Sequence, residues 1–156
     1  MIIKSDYSDI FVEAWKSILV NITGEDIITA EICPVASTDR AICVEMAMVG
    51  DISAQIILGM DETTGRTIAS SMLGGMEMEN MDEIIPSAIG ELCNMVMGTA
   101  CSDISKFNPN IDITPPVLCQ TTSALNTDSN SAYKIDLRLP EDDQIDFNVA
   151  IKPASA

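Results

Sequence analysis

Residues 87–100 read Ser87-Ala-Ile-Gly-Glu-Leu-Cys-Asn-Met-Val-Met-Gly-Thr-Ala100. At about 100° per residue this stretch predicts the middle of a helix with two unlike faces. Ile85, Ile89, Leu92, Val96 and Thr99 form one apolar stripe, with Ala88 beside it. Ser87, Glu91, Asn94 and Gly98 fall on the other side, at i, i+4, i+7 and i+11. A solvated helix face usually carries several long charged side chains. Here Glu91 is the only charge between Ile84 and Ser102. Such a face is suited to close approach by another molecule.

Working outward, the helix is predicted to start with Pro86 in its first turn, because an interior proline would clash with the carbonyl of Asp82. Asn80 and Glu83 are a candidate capping box ahead of it. It should end near Ile104, before the breaker Asn108-Pro109. Upstream, Met76 to Met81 is a polar, Met-rich connection. Asp61 to Leu73 reads as a helix capped by Asp61 and ended by Gly74-Gly75. Three strands are predicted before it, Ile27 to Cys33, Ala41 to Val49 and Ile52 to Leu58, with Gly50-Asp51 as a tight hairpin of II′ type. Asp6 to Val20 reads as the first helix, with Ile10, Ala14, Ser17 and Ile18 at helical spacing, Phe11 and Trp15 as an i, i+4 pair, and Ser5 or Asp6 as cap.

Downstream, three more strands are predicted: Val117 to Thr122, Ala132 to Leu139, and Gln144 to Lys152. Leu125 to Asn130 is a polar loop and Pro140 to Asp143 a charged turn. Tyr133, Ile135, Leu137 and Leu139 alternate with Lys134, Asp136 and Arg138, as in a half-buried antiparallel strand. The order is helix, three strands, helix, then helix, three strands. Short connections make this an α+β fold with a mostly antiparallel sheet packed with helices. We expect one domain over 1–156, in two related halves of about 1–75 and 80–152.

The 156 residues are 47% hydrophobic but only 4% aromatic, so the core must rest on Ile, Val, Leu, Met and Ala. The net charge of −16 and the lack of a basic stripe argue against nucleic acid and against anionic membranes. No basic region followed by an apolar segment opens the chain, and no uninterrupted apolar run approaches the ~18 residues of a membrane helix. A cytoplasmic protein is expected. The five cysteines show no CxxC spacing and are expected as reduced, buried thiols. With no His and no Cys pair at ligand spacing, no metal site is expected, and the usual general base is missing.

The pattern Ser87-x-x-x-Glu91-x-x-Asn94 resembles the helix motif of the CheC, CheX and FliY phosphatases of bacterial chemotaxis. In that family an acidic residue or Ser precedes Glu by four, Asn follows it by three, and a Pro lies some twenty-odd residues on. Here Pro115 and Pro116 stand 21 and 22 positions after Asn94. Gly90 and Gly98-Thr99-Ala100 add to the likeness, and the element order is compatible with a CheC-like fold throughout. One intact motif is most similar to CheX, since CheC typically has two. The first helix carries Asp9-x-x-x-Glu13-x-x-Lys16, the same spacing with Lys for Asn. An ammonium cannot accept a hydrogen bond from water. This is either an equivalent helix with a lost site or an ordinary amphipathic helix.

The resemblance implies hydrolysis of the aspartyl phosphate on a CheY-like response regulator, with Mg²⁺ held by that partner and no cofactor on this chain. It implies Glu91 and Asn94 as catalytic residues, with Ser87 and Gly98 leaving room for the partner. In the family the Glu pairs with the partner's active-site Lys. A homodimer is implied as well. Asn94 could orient water through its carboxamide, since phosphoryl transfer needs positioning and charge stabilisation more than covalent chemistry. Cys93 sits about 80° off the apolar stripe by the same wheel. A nucleophilic thiol needs a positive neighbour or a His, and no Lys or Arg lies within ten residues on its N-terminal side. Two other readings remain: a non-catalytic interaction module in two-component signalling, and an ordinary exposed Glu–Asn pair on a structural helix.

Overall fold

The structure is a computed structural model that describes residues 7–35, 40–75, 83–119 and 131–153. The first helix, α1, covers Ser8–Thr23 and buries Phe11, Ala14, Trp15, Ile18 and Leu19. Tyr7 opens it with φ 58. The expected caps Ser5 and Asp6 lie outside the described residues. The helix continues past Val20 to Gly24, where φ 76 suits glycine and its N–H donates to the Val20 carbonyl.

Three strands follow: β1 (Thr29–Cys33), β2 (Ile42–Gly50) and β3 (Ile52–Met60). Then come α2 (Glu62–Met72) and α3 (Ile84–Ile104). The chain closes with β4 (Ile111–Ile113), β5 (Val117–Cys119), β6 (Ser131–Arg138), a 3₁₀ turn over Pro140–Asp142, and β7 (Gln144–Pro153). The sheet order is β1-β6-β7-β3-β2-β4, with β5 also on β2, and every pairing is antiparallel.

The expectation of strands at 117–122 holds only over Val117–Cys119, since 120–122 lie outside the described residues. The polar loop at 125–130, the connection at 76–81 and Asn80 of the candidate capping box lie outside them too. β4 is an additional strand that hydrophobic alternation does not announce. It is three residues long, between Pro109 and Pro115. The two short strands β4 and β5 share one edge of β2 because Pro115 and Pro116 supply no N–H to the ladder. Thr114 bridges the break on both sides. Its N–H donates to the Ala47 carbonyl at 2.9 Å, and its Oγ1 accepts the Ala47 N–H at 2.9 Å.

Three local expectations are corrected. Met48 stands opposite Ala54, which leaves an odd number of residues between them, so the β2–β3 turn is not a two-residue II′ hairpin. Gly50 adopts φ +113 because the chain passes over it: a Cβ there would collide with the Asn110 carbonyl, which accepts the Asp51 N–H at 2.9 Å. Asp61 holds the cap position of α2 but makes no cap hydrogen bond. Its carboxylate faces the Arg40 guanidinium at 3.0 Å instead. Glu83 likewise makes no side-chain cap bond at the start of α3.

Alternate strand residues build the core with the helices. Val44, Met46, Ile56, Leu58, Ile135, Leu137, Ile145 and Phe147 join Trp15, Leu19, Ile68, Ile89, Leu92 and Val96. Phe147 is wedged between Phe11 and Trp15, with both ring centroids at 5.4 Å. Burial of side chains this size contributes about 1.5–3 kcal/mol each. The other sheet face carries a smaller apolar cluster around Ile57 and Ala150. There Asp146 is fully buried and accepts from Arg40 at 2.8 Å and Gln144 at 3.1 Å.

By length and composition α3, at 21 residues, could cross a membrane. Half of its most apolar window is buried inside this fold. It packs against α1, α2 and β2 and reads as the central core helix.

Candidate functional site

Helix α3 gives the site its frame. It buries Ile85, Ile89, Gly90, Leu92, Cys93, Val96, Met97, Ala100 and Ile104. This is wider than the stripe expected from sequence, because sheet and helices enclose α3 from more than one side. Thr99 is only half-buried, and Cys93 is fully buried. Pro86 is the third residue of the helix, where an N–H would have no intrahelical partner anyway.

Ser87, Glu91 and Gly98 are exposed and Asn94 is half-buried, so all four sequence candidates share the open side of α3. Among the described residues no hydrogen bond or ion pair engages the side chain of Glu91 or Asn94. A carboxylate and a carboxamide are therefore left available for something outside the chain.

Two open grooves flank this ridge. One, of about 520 Å³, runs between α1 and α3 and is lined by Ile18, Asn94, Gly98, Thr99 and Ser102. The other, of about 600 Å³, lies between the end of α2 and the start of α3. Met72, Leu73, Ile84, Ser87, Ala88 and Glu91 line it. Asn94 thus opens on one groove and Glu91 on the other.

On a third side Pro116 closes on the helix. A Cβ built on Gly90 would meet the Pro116 ring at 3.7 Å, an ordinary contact distance, so this segment lies against α3 beside Glu91. The proline noted in the sequence is therefore a neighbour of the motif in space. Leu73 and Ile84 were not found from sequence. Ile84 stands seven residues before Glu91, two turns along the same face, which is the one signal that could have marked it.

The thiols near the site are poor nucleophiles. Burial, and then the nearby Cys119, push the Cys93 thiol up to about 12. Burial and the neighbouring Asp112 also raise Cys101. No thiolate of Cys93 exists near neutral pH. In the native protein at pH 8, 5,5′-dithiobis(2-nitrobenzoate) should leave Cys93 unmodified until denaturant is added. Rapid native labelling, mapped by mass spectrometry, would contradict this burial. Among the described residues no three His, Cys, Asp or Glu side chains converge as metal ligands.

The sequence matches the family described as chemotaxis phosphatase CheX over residues 42–138, from β2 through β6. It is 27% identical over 107 residues to the CheY-P phosphatase CheX of Thermotoga maritima, covering 69% of each chain. Among solved structures, CheX from Vibrio vulnificus superposes with a TM-score of 0.80 at 16% identity, covering 95% of this chain and 100% of that one. The CheX–CheY–BeF3–Mg²⁺ complex from Borrelia burgdorferi gives a TM-score of 0.75 at 21% identity, covering 94% of this chain and 98% of that one. At these identities the superpositions establish the shared fold.

Proposed function

The chain belongs to the chemotaxis phosphatase CheX family, and from that premise we propose that it hydrolyses the aspartyl phosphate of a CheY-like response regulator. The observation that carries this reading is the unengaged pair Glu91 and Asn94, side by side on the open face of α3 between two grooves. The Thermotoga maritima relative is named a CheY-P phosphatase, and the Borrelia burgdorferi structure holds CheX with CheY, BeF3 and Mg²⁺.

In this proposal Asn94 enters the partner's active site and holds one water in line with the bond from phosphorus to the aspartyl oxygen. Its carbonyl accepts a water proton or its amide donates to the water oxygen. Water oxygen bonds to phosphorus, the bond to the aspartyl oxygen breaks, the electron pair leaves on the partner's carboxylate, and the water protons stay with the released phosphate. An amide is a weak base, so the gain comes from placing the nucleophile. Glu91, an acceptor when ionised, pairs with a lysine of the partner and fixes the angle at which α3 enters. Ser87 and Gly98 keep the surface low on either side. Mg²⁺ is part of the phosphorylated partner and supplies charge neutralisation there. Such a partner places the protein in the cytoplasm.

The test is a phosphate-release time course across the response regulators of the same organism, with and without this protein. Faster loss from at least one regulator is expected. Binding without acceleration of any would make the chain a non-catalytic interaction module and sink the phosphatase reading.

A further inference from the structure

The groove that contains Glu91 has an apolar side with no part in the chemistry above. Leu73 is 43% exposed and Ile84 50% exposed, and the two line one groove. Met72 and Ala88 lie half-buried next to them. The fold creates this patch deliberately in one respect: Gly74 and Gly75, at φ +78 and +87, stop α2 just after Leu73. The α2 end then stands beside the α3 start.

Charge frames the patch. Glu83 and Glu91 line the same groove, eight residues apart on one helix, which spans about 12 Å. Among the described residues no Lys or Arg lines it. The groove opposite is lined by Asn94, Thr99, Ser102 and Asp103 beside Ile18 and Met95.

Resting on the phosphatase reading, we propose that the Leu73–Ile84 groove is a docking site for an apolar side chain of the response regulator flanked by basic residues, and that it selects which regulator is served. Two observations name this occupant. The groove is continuous with Glu91, so a partner that pairs with Glu91 already lies over it. The charges that line it among the described residues, Glu83 and Glu91, are both negative, so an apolar segment with cationic flanks fits and an acidic one is repelled. The docking contact is assigned to uniform binding, made equally in ground and transition states. It changes affinity and leaves the chemical step alone.

The experiment uses the full chain with Leu73→Ser and Ile84→Ser together, and Ile84→Lys separately. Both positions are exposed, so the variants should fold, which circular dichroism checks. With the regulator that responds to wild type, KM is expected to rise at least tenfold while kcat stays within about twofold, the pattern opposite to Asn94→Ala. Ile84→Lys should weaken binding further at low salt than at high salt. The same comparison is made by titrating BeF3-loaded regulator and measuring Kd. If the wild type binds but accelerates nothing, the phosphatase reading fails, and a weakened Kd in the variants still supports the docking groove. Unchanged KM and Kd in the double variant overturn the groove alone. Failure of wild type to bind any regulator overturns it too. A sedimentation profile in which the double substitution dissociates a wild-type dimer makes the occupant a second copy, and likewise overturns it.

Discussion

Asn94→Ala is expected to slow phosphate loss from the phosphorylated regulator by about 10²–10³ relative to wild type, the cost typical of removing one preorganised catalytic group. Its Kd for BeF3-loaded regulator should stay within about threefold, because the side chain contacts a water rather than the partner's frame. The fold should hold. Asn94 is half-buried with no hydrogen bond inside the chain, so truncation orphans nothing. Asn94→Asp keeps the shape but sets a negative charge beside an anionic phosphoryl group, and should be no better than Ala. Glu91→Ala is expected to differ in kind, raising KM and lowering kcat together, since loss of its ion pair frees the entry angle that aims Asn94. Full activity in Asn94→Ala would remove the water-positioning role altogether.

The shared face of these residues was legible in the sequence because it rests on helical spacing, whereas the roles proposed for them come from the family resemblance. Ser87, Glu91, Asn94 and Gly98 are placed on one open face by the 3.6-residue turn alone. The strand Tyr133–Leu139 was legible for a similar reason: its four apolar residues are buried and the polar ones between them are not. What escaped is what depends on contacts distant in the chain. The Gly50 turn is dictated by Asn110, sixty residues on. β4 exists because β2 offers it an edge, and three residues between prolines carry no period of their own. The expected burial holds for Cys93 and Cys43 but not for Cys33, Cys101 and Cys119, which are only half-buried; Cys93 is covered although it lies off the predicted stripe, because α3 is enclosed on several sides. Leu73 and Ile84 become neighbours only through the packing of α2 on α3.

Gly98 offers the second large effect, with stability and function moving in opposite directions. It lies inside α3, and glycine in a helix interior costs about 0.5–1 kcal/mol relative to alanine. A glycine with a packing role shows why that cost is borne. At Gly65 in α2 a Cβ would collide with Ile42 and crowd Ile85 at 3.1 Å, so Gly65→Ala should destabilise. At Gly98 a Cβ would meet nothing within 4 Å, so no contact within the described chain calls for glycine there. Gly98→Ala should therefore raise the unfolding free energy by about 0.5–1 kcal/mol in urea titration, with a Tm gain of about 1–4 °C. Gly98→Leu should fold at least as well as wild type, since leucine is a strong helix former in open space. In the proposed complex its side chain would stand on the face turned to the partner, one turn from Asn94. We expect kcat/KM to fall by about 10² or more, because a displacement near 1 Å at the reacting atoms costs that much. A stable Gly98→Leu protein with undiminished kcat/KM would show that nothing approaches this face closely, and would return Glu91 and Asn94 to an ordinary exposed pair on a structural helix.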